Sequence, residues 1–332
     1  MKILVTGSAG HLGEALMRTL RNTNHDVCGI DIKESPFTDK VVCVTDRKGI
    51  AKCMEKIDVV MHTATLHKPH VSTHTRQNFI DTNITGTLNL LEEAVKVQAK
   101  AFIFTSTTSV FGRALRPNLN APAVWVDESL TPVSRNIYGT TKFAAENLCE
   151  LFHYKFKLPG IVLRTSRFFL EEDDNAEMRN SYISDNIKVN EYLYRRVDIA
   201  DIVDAHILAM EKASRIGFER YIISATTPFT KEHLCELHKN APQVVARLLP
   251  DYSSLYRQKN WKMFPRIERV YVNKKAREQL GWQPRYDFAF IIGQLKNGED
   301  FRSPLALEVG IKGYHEEKFV EGPFPVERDT ID

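Results

Sequence analysis

The sequence predicts an α/β fold built on a doubly wound parallel sheet. Short apolar runs alternate with helical patterns through the first half of the chain, and a glycine-spaced turn joins the first run to the first helix. Parallel strands need crossover helices, because tight turns cannot join them. A chain of 332 residues with 43% hydrophobic content can bury such a core together with a second, smaller lobe.

The elements follow one another in order along the first half. Strands are predicted for KILVT, DVCGID, KVVCV, DVVMH and AFIFTS, and helices over about 11–21, from about 47, and up to about 97. The last of these helices carries apolar residues at amphipathic spacing: Ile84, Leu88, Leu91 and Val95. Beyond about residue 163 the rhythm breaks into shorter elements and a proline-containing tail over 303–332. We therefore expect a sheet domain over 1–165, to which some later segments return, and a second lobe over 166–332.

Composition excludes several classes of partner. Lys and Arg total 45 against 42 Asp and Glu, and the formal charge of +3 is too small for a nucleic-acid or polybasic membrane surface. Five scattered cysteines without C-x-x-C spacing favour reduced thiols over disulfides or a thiolate zinc site. The first apolar run is too short for a signal peptide, and no apolar stretch approaches ~18 residues. We expect a cytoplasmic protein with a small-molecule partner.

The stretch VTGSAGHLG places Gly7, Gly10 and Gly13 between a strand and a helix. A backbone without Cβ atoms lets a pyrophosphate approach the positive N-terminus of that helix. Asp31 follows Gly13 by 18 residues, where its carboxylate suits the ribose hydroxyls of an adenosine and repels a 2′-phosphate. The pattern favours NAD over NADP, a preference that Lys33 moderates. The alternative is a plain strand-to-helix turn.

Further motifs follow in a recognisable order: VVMHTAT, NITGT, FTSTTSVFG, YGTTK, RRVDIADIVDAH and VNKKAREQLGWQPRYD. With the glycine turn, they resemble the extended short-chain dehydrogenases/reductases, in particular the NAD-dependent epimerase/dehydratase family, over most of the chain. The resemblance implies an NAD-binding Rossmann domain over 1–165 and a smaller substrate-binding lobe, with the C-terminal tail, over 166–332. It also implies a homodimer through helices starting near Gln77 and Tyr138, with Cys149 and Phe152 at the interface or in the core.

Tyr138 and Lys142 lie four residues apart and therefore share a helix face. An ammonium beside the phenol is expected to lower a tyrosine pKa that is normally ~10, so that Tyr138 can take a hydroxyl proton. A surface pairing of the two side chains is the alternative. The resemblance implies that Thr107 holds the reacting hydroxyl and that Lys142 binds the nicotinamide ribose. The cofactor contacts expected are Gly7, Gly10, His11, Leu12, Gly13, Asp31, Ala64, Asn83, Tyr138 and Lys142.

Departures from the family pattern reduce the number of reaction types that the site can be expected to catalyse. Thr108 and Ser109 stand where dehydratases and decarboxylases of the family carry carboxylates, which disfavours elimination and decarboxylation. Cys43 stands where many members have an acidic residue for the adenine, and Asp46 is predicted to cap the next helix. Asn83 either supports the active site by bonding across the sheet or caps a helix.

The second half carries candidate substrate contacts. Residues 168–194 form a short connection between Arg167 and Arg195, which looks cramped for a nucleotide and resembles the aldose and uronate dehydrogenase branch. Guanidinium groups suit a carboxylate or phosphate, although ion pairs with the acidic run 171–174 are the alternative. The segment 113–136, with an exposed Trp125, is interpreted as an active-site lid or a simple connection. The expected substrate contacts are His67, Thr108, Ser109, Arg113, Arg164, Arg167 and Arg195, and Arg196 is a further candidate.

Three histidines at three- and four-residue spacing, His67, His70 and His74, suggest a metal site. Pro69 interrupts the spacing and the motif contains no carboxylate, so we expect no metal.

Together these patterns predict an NAD-dependent oxidoreductase or epimerase that acts on a sugar or sugar-derivative hydroxyl by tyrosine-assisted hydride transfer. A simple dehydrogenase of a free sugar or uronate is the first alternative. A catalytically silent NAD-sensing scaffold is the second.

Overall fold

The computed structural model describes residues 1–118, 120–317, 319 and 322–325. The strands in that part of the chain are β1 (Lys2–Thr6), β2 (Asp26–Asp31), β3 (Lys40–Val41), β4 (Val59–His62), β5 (Ala101–Thr107), β6 (Val124–Val126), β7 (Gly160–Thr165), β8 (Phe218–Ile223) and β9 (Arg269–Tyr271). Within these residues a seven-stranded sheet has the order β3-β2-β1-β4-β5-β7-β8, and every neighbouring pair in it is parallel. The order runs outward in both directions from β1, which confirms the predicted doubly wound Rossmann sheet.

Helices cover both faces of this sheet. They are α1 (His11–Leu20), α2 (Arg47–Cys53), α3 (Arg76–Phe79), α4 (Gly86–Lys96), α5 (Ile137–Phe156), α6 (Ala176–Ser181), α7 (Ser184–Glu191), α8 (Ile199–Ile216), α9 (Leu234–Leu248), α10 (Tyr252–Gln258), α11 (Lys274–Leu280), α12 (Phe288–Lys296) and α13 (Pro304–Val309). Helices α1 and α8 bury their apolar sides on one face, whereas α2, α4 and α5 bury theirs on the other. The cofactor face of such a fold lies at the carboxyl ends of the strands.

Two predicted elements differ from the observed ones. The third strand is shorter than KVVCV, because the chain turns at Cys43, whose carbonyl accepts the Asp46 backbone N–H, and the Asp46 side chain then caps α2. The long helix ending near residue 97 is divided by a π-helical segment, Ile80–Thr85, between α3 and α4. Such wide turns are frequent at functional sites.

A second hydrophobic core forms the smaller lobe. It is built mainly from α7, α9, α10 and α12, and the short parallel pair β6–β9 borders it. Two elements beyond residue 165 belong to the first domain. Strand β8 joins the main sheet, and helix α8 packs on one face of it. In the tail, α13 is described, whereas 318, 320, 321 and 326–332 fall outside the described residues. Across the described chain, no helix is both long enough and apolar enough to cross a bilayer.

Candidate active site

The glycine turn between β1 and α1 packs too closely to accept side chains. Gly7 has a φ of +71°, and a Cβ atom on Gly13 would lie 1.9 Å from the Gly7 carbonyl oxygen. The first backbone N–H groups of α1, at His11, Leu12 and Gly13, have no partner inside the helix and carry its positive end. This cradle fits a pyrophosphate.

Asp31 ends β2 beside the glycine turn. Its carboxylate accepts the backbone N–H of Ala9 and of Lys33, each at 3.0 Å, and this fixes its orientation at the cleft. Cys43 lies on the same part of the cleft wall. At the far end of the sheet, the buried Ser166 hydroxyl also lines the cleft and has no hydrogen-bond partner among the described residues. Both ends therefore offer polar groups to an extended dinucleotide.

The cleft itself has a volume of about 2040 Å³ and is lined by residues from both lobes. This is about twice the upper end of the ~300–1,000 Å³ range that is usual for a single small-molecule pocket. The expected cofactor residues that line it are Gly7, Gly10, His11, Leu12, Gly13, Asp31, Ala64 and Tyr138, whereas Asn83 and Lys142 lie behind its wall.

Thr107 and Tyr138 meet at the centre of the cleft. Thr107 is the last residue of β5, Tyr138 is in the first turn of α5, and the Thr107 hydroxyl lies close enough to the phenol to affect its pKa. Burial raises the pKa of Tyr138 to about 12, although the nearby Thr107 hydroxyl opposes the shift. The expectation that this pKa lies below its ordinary value is therefore wrong, because burial outweighs the other influences that this chain's residues exert on Tyr138.

Lys142 lies one helical turn beyond Tyr138 and is 2% exposed. Its ammonium nitrogen stands 4.0 Å from the centroid of the Phe104 ring. Burial lowers the pKa of Lys142 to about 7, because the charged form loses its water, and Glu146 on the next turn opposes this shift only in part. Lys142 is thus poised between its two protonation states near neutral pH.

Asn83 joins three parts of the site from within the π-helical segment. Its side-chain oxygen accepts the Leu66 N–H at 2.9 Å, and its amide nitrogen donates to the Leu66 carbonyl and to the Thr141 hydroxyl. It therefore braces the loop after β4 against α5, beside Tyr138. The alternative of a helix cap is wrong, because Asn83 is inside a helical segment.

The side chains of His67, His70 and His74 do not converge on a common point where a metal ion could bind. His70 Nδ1 accepts the backbone N–H of His67 at 3.1 Å, and the described residues contain no group of three side chains arranged to hold a metal ion. The His67 ring lines the cleft, and its centroid lies 6.4 Å from that of Tyr138. Burial keeps the pKa of His67 well below its ordinary value, so the ring is neutral.

One buried carboxylate holds the arginines that follow β7. Glu191, which is 0% exposed, pairs with Arg195 at 2.6 Å, Arg196 at 2.8 Å and Arg167 at 3.3 Å. These guanidinium groups hold its pKa well below the ordinary range despite burial. Arg167 also pairs with Asp173 at 2.6 Å, as the alternative interpretation anticipated, yet Arg167 and Arg195 both line the cleft.

Two expected substrate contacts lie elsewhere. Arg164 is 2% exposed and forms an ion pair with the fully buried Glu146 at 2.7 Å, so its guanidinium belongs to the core. Arg113 is exposed and does not line the cleft. Thr108 and Ser109 do line it, directly after Thr107.

In the segment 113–136, of which residue 119 lies outside the described residues, the described part contributes to the cleft mainly near its ends, including Leu115 and Asn136. Its middle forms β6, where Trp125 stands opposite Val270 of β9. The expectation of an exposed Trp125 is wrong, because this pairing packs the indole against the core of the smaller lobe. Cys149 and Phe152 are likewise packed in the core beside the sheet.

The cleft also contains residues that sequence patterns did not reveal. They come from separate segments of the second half and share only aromatic or cationic character: Arg179, Tyr182, Phe264, Arg266, Arg269, Tyr271, Tyr314 and Phe324. The stretch FPRIERV, which holds Phe264, Arg266 and Arg269 close together, is a local signal that could have marked part of this set.

The glycine cradle, the acidic end of β2 and the Thr107–Tyr138 pair define a dinucleotide-dependent oxidoreductase of the short-chain type. A model of the NAD-dependent epimerase/dehydratase family matches residues 3–224, and the chain belongs to that family. It is accordingly an enzyme with NAD as its cofactor.

Known proteins support this placement. The chain is 31% identical to an uncharacterized UDP-glucose epimerase, YtcB, of Bacillus subtilis, over 49% of this chain and 55% of that protein. It is 25% identical to the UDP-glucose 4-epimerase of Lactobacillus helveticus, over 86% of this chain and 93% of that protein. The solved UDP-glucuronic acid 4-epimerase of Bacillus cereus in complex with NAD has the same fold, with a TM-score of 0.59, 23% identity and coverage of 91% and 100%.

Proposed function

We propose that this enzyme is an epimerase that oxidises a secondary hydroxyl of a nucleotide sugar and then reduces the resulting ketone from the opposite face. The observation that carries the proposal is one continuous cleft. It runs from the glycine turn, past Thr107 and Tyr138, to the wall of aromatic and arginine side chains in the smaller lobe. Its volume suits two ligands rather than one.

The proposed chemistry divides among three side chains. Bound NAD supplies a hydride acceptor and, when oxidised, a positive ring charge beside the site. Tyr138 takes the proton of the reacting substrate hydroxyl. The Thr107 side-chain hydroxyl orients that substrate hydroxyl by a hydrogen bond. A nearby positive charge favours the phenolate, which offsets the burial that raises the pKa of Tyr138. Lys142 stabilises the same phenolate in its charged form, and returning the proton completes the cycle.

The aromatic and arginine side chains that line the cleft in the smaller lobe favour a substrate that carries a nucleotide. The Tyr182 and Phe264 rings meet edge to face at 5.1 Å and offer apolar surface to a base. Arg195 and Arg269 each have a buried Nε atom without a hydrogen-bond partner among the described residues. Guanidinium forks of this kind suit the oxygens of a diphosphate. The proposed residue contacts near the sugar are His67, Thr108 and Ser109.

A simple dehydrogenase of a free sugar or uronate is the second candidate. The short connection between Arg167 and Arg195 favours it, since Glu191 holds both guanidinium groups together and both line the cleft, where a carboxylate would bind. The same residues serve both candidates, so the fate of the cofactor distinguishes them.

We also propose a homodimer through the helices that begin at Arg76 and Ile137. Helix α5 leaves Leu151, Tyr154 and Phe156 exposed at 42%, 77% and 53%, and such apolar surface suits a second copy. Cys149 and Phe152 take no part in this interface.

The deciding experiment denatures the purified protein and quantifies the released NAD and NADH by chromatography. An epimerase regenerates its cofactor in every cycle, so we expect near-stoichiometric NAD and interconversion of a UDP- or dTDP-sugar without net NADH. Protein that is empty, binds NAD reversibly and forms NADH with a free sugar or uronate would instead identify the dehydrogenase. Tyr138→Phe is the control, because it keeps the ring and removes the base.

A further inference from the structure

The described residues after α13 pass along the cleft, which Lys312, Gly313, Tyr314 and Phe324 line. We call the described residues 312–317, 319 and 322–325 the C-terminal strap. The backbone N–H groups of Lys312 and Gly313 donate to Glu171 Oε1 at 3.2 and 3.3 Å. The Lys312 ammonium pairs with Glu14 on α1. The strap is therefore attached to the cofactor domain at its start.

Glu171 connects the strap to the cofactor helix. Its Oε1 atom lies 2.6 Å from Nε2 of His11, the first residue of α1, and the carboxyl group is 6% exposed. His11 directly follows the glycine turn that receives the pyrophosphate. One carboxylate thus contacts both the pyrophosphate end of α1 and the backbone of the strap, so a shift of either one disturbs the other.

The strap also binds the loop after β4. His315 Nε2 donates to the Pro69 carbonyl at 2.9 Å, and the His315 ring packs edge to face on the His70 ring with centroids 5.3 Å apart. These contacts hold Tyr314 over the cleft between two anchors, one on each side.

The Tyr314 ring closes an aromatic cluster next to the catalytic tyrosine. Its centroid lies 5.2 Å from His67, 5.8 Å from Phe169 and 6.0 Å from His11. The His67 ring in turn lies 6.4 Å from Tyr138. Because the reacting carbon of the cofactor must come close to the hydroxyl that Tyr138 deprotonates, this cluster borders the nicotinamide end and not the adenosine end at Asp31.

We propose that Tyr314 is a cofactor-positioning residue, held by Glu171 and the strap against the nicotinamide end of bound NAD. Its half-buried ring lines the cleft and supplies a flat apolar surface between His11, next to the glycine turn, and His67, next to Tyr138. The inference depends on the NAD site alone and not on the sugar substrate proposed above.

The test compares two ligands that differ only at the proposed contact. ADP-ribose carries the adenosine and pyrophosphate of NAD but has no nicotinamide. Dissociation constants for both are measured by titration calorimetry on cofactor-depleted protein. We expect Tyr314→Ala to raise the Kd of NAD about tenfold, the size of one aromatic contact, and to leave the Kd of ADP-ribose within about twofold. Tyr314→Phe keeps the ring and should lose much less NAD affinity than Tyr314→Ala.

The role of Glu171 is tested by a substitution, and the same substitution at the neighbouring Glu172 is the matched control. Glu171→Gln should weaken NAD binding at least threefold, whereas Glu172→Gln, at an exposed position, should not. Hydrogen exchange supplies a second measure: bound NAD should slow exchange at the Gly313 and Tyr314 amides more than bound ADP-ribose does.

An equal loss of affinity for NAD and ADP-ribose in Tyr314→Ala would overturn the proposal, since a merely structural strap weakens both. Wild-type NAD affinity in that variant would overturn it as well. If Tyr314→Ala does not fold, Tyr314→Leu is judged by the same comparison.

Discussion

Lys142→Met is expected to change how the stability of the cofactor-free protein depends on pH. In the folded chain the pKa of Lys142 is lowered to about 7 by burial, whereas the unfolded chain restores the ordinary value of 10.5. Between these values the unfolded state binds more protons. The wild-type free energy of unfolding therefore gains a contribution that rises with pH in this window, and the variant lacks it.

The magnitude follows from the two pKa values. A full proton difference contributes about 1.4 kcal/mol per pH unit, so from pH 7.5 to 9 the wild type should gain about 2 kcal/mol relative to Lys142→Met. The variant should be the more stable protein at pH 7.5, and its advantage should shrink as the pH rises. Turnover should be lost at both pH values under the proposed mechanism.

The assay is urea unfolding of cofactor-depleted protein at half-unit steps over this range. Cysteine and tyrosine ionisation is common to both proteins and cancels in the difference. Lys155→Met, at an exposed position on the same helix, should follow the wild-type curve. Parallel curves for the wild type and Lys142→Met would refute the argument, because they would mean that Lys142 keeps an ordinary pKa in the folded chain.

Four further outcomes are expected. Tyr138→Phe should lower kcat by about 10²–10⁴-fold with NAD binding retained, and wild-type turnover would exclude Tyr138 as the base. Gly13→Ala should abolish NAD binding, because its Cβ would lie 1.9 Å from a backbone oxygen, whereas Gly293→Ala, with no atom within 4 Å, should bind NAD normally in the same titration. Asp31→Ala should shift the ratio of NAD to NADP affinities toward NADP by tenfold or more; an unchanged ratio would remove Asp31 as the determinant. Glu191→Gln should lower the free energy of unfolding by about 3–5 kcal/mol in urea, since it leaves buried guanidinium groups uncompensated, and a loss below ~1 kcal/mol would contradict that role.

Local patterns were sufficient to predict the cofactor half of the molecule. The run KILVT, the glycine spacing and the helix beginning at His11 all appear where expected, because strand alternation, turn chemistry and helical spacing are properties of neighbouring residues. The same holds for Asp46, whose side chain caps α2. Element ends were less predictable, as the shortened β3 illustrates.

Predictions about side-chain partners were less successful. Arg164 and Arg167 are three residues apart, and both looked available to a substrate. One is paired with Glu146 inside the core and the other lines the cleft beside Asp173. Spacing alone does not distinguish them, because their partners come from α5 and from the loop after β7. Trp125 was misjudged for the same reason, since its environment depends on the distant strand β9.

The sequence by itself was sufficient to predict the doubly wound sheet and the nucleotide turn, and it proposed Thr107, Tyr138 and Lys142 as the catalytic set. Tertiary structure alone decided three features. They are the pKa values of Tyr138 and Lys142, the ion pairs of Glu191 with three arginines, and the packing of Tyr314 against His67. The physical reason is that these features depend on desolvation and on contacts between residues far apart in the chain. Both quantities exist only once the lobes have packed together.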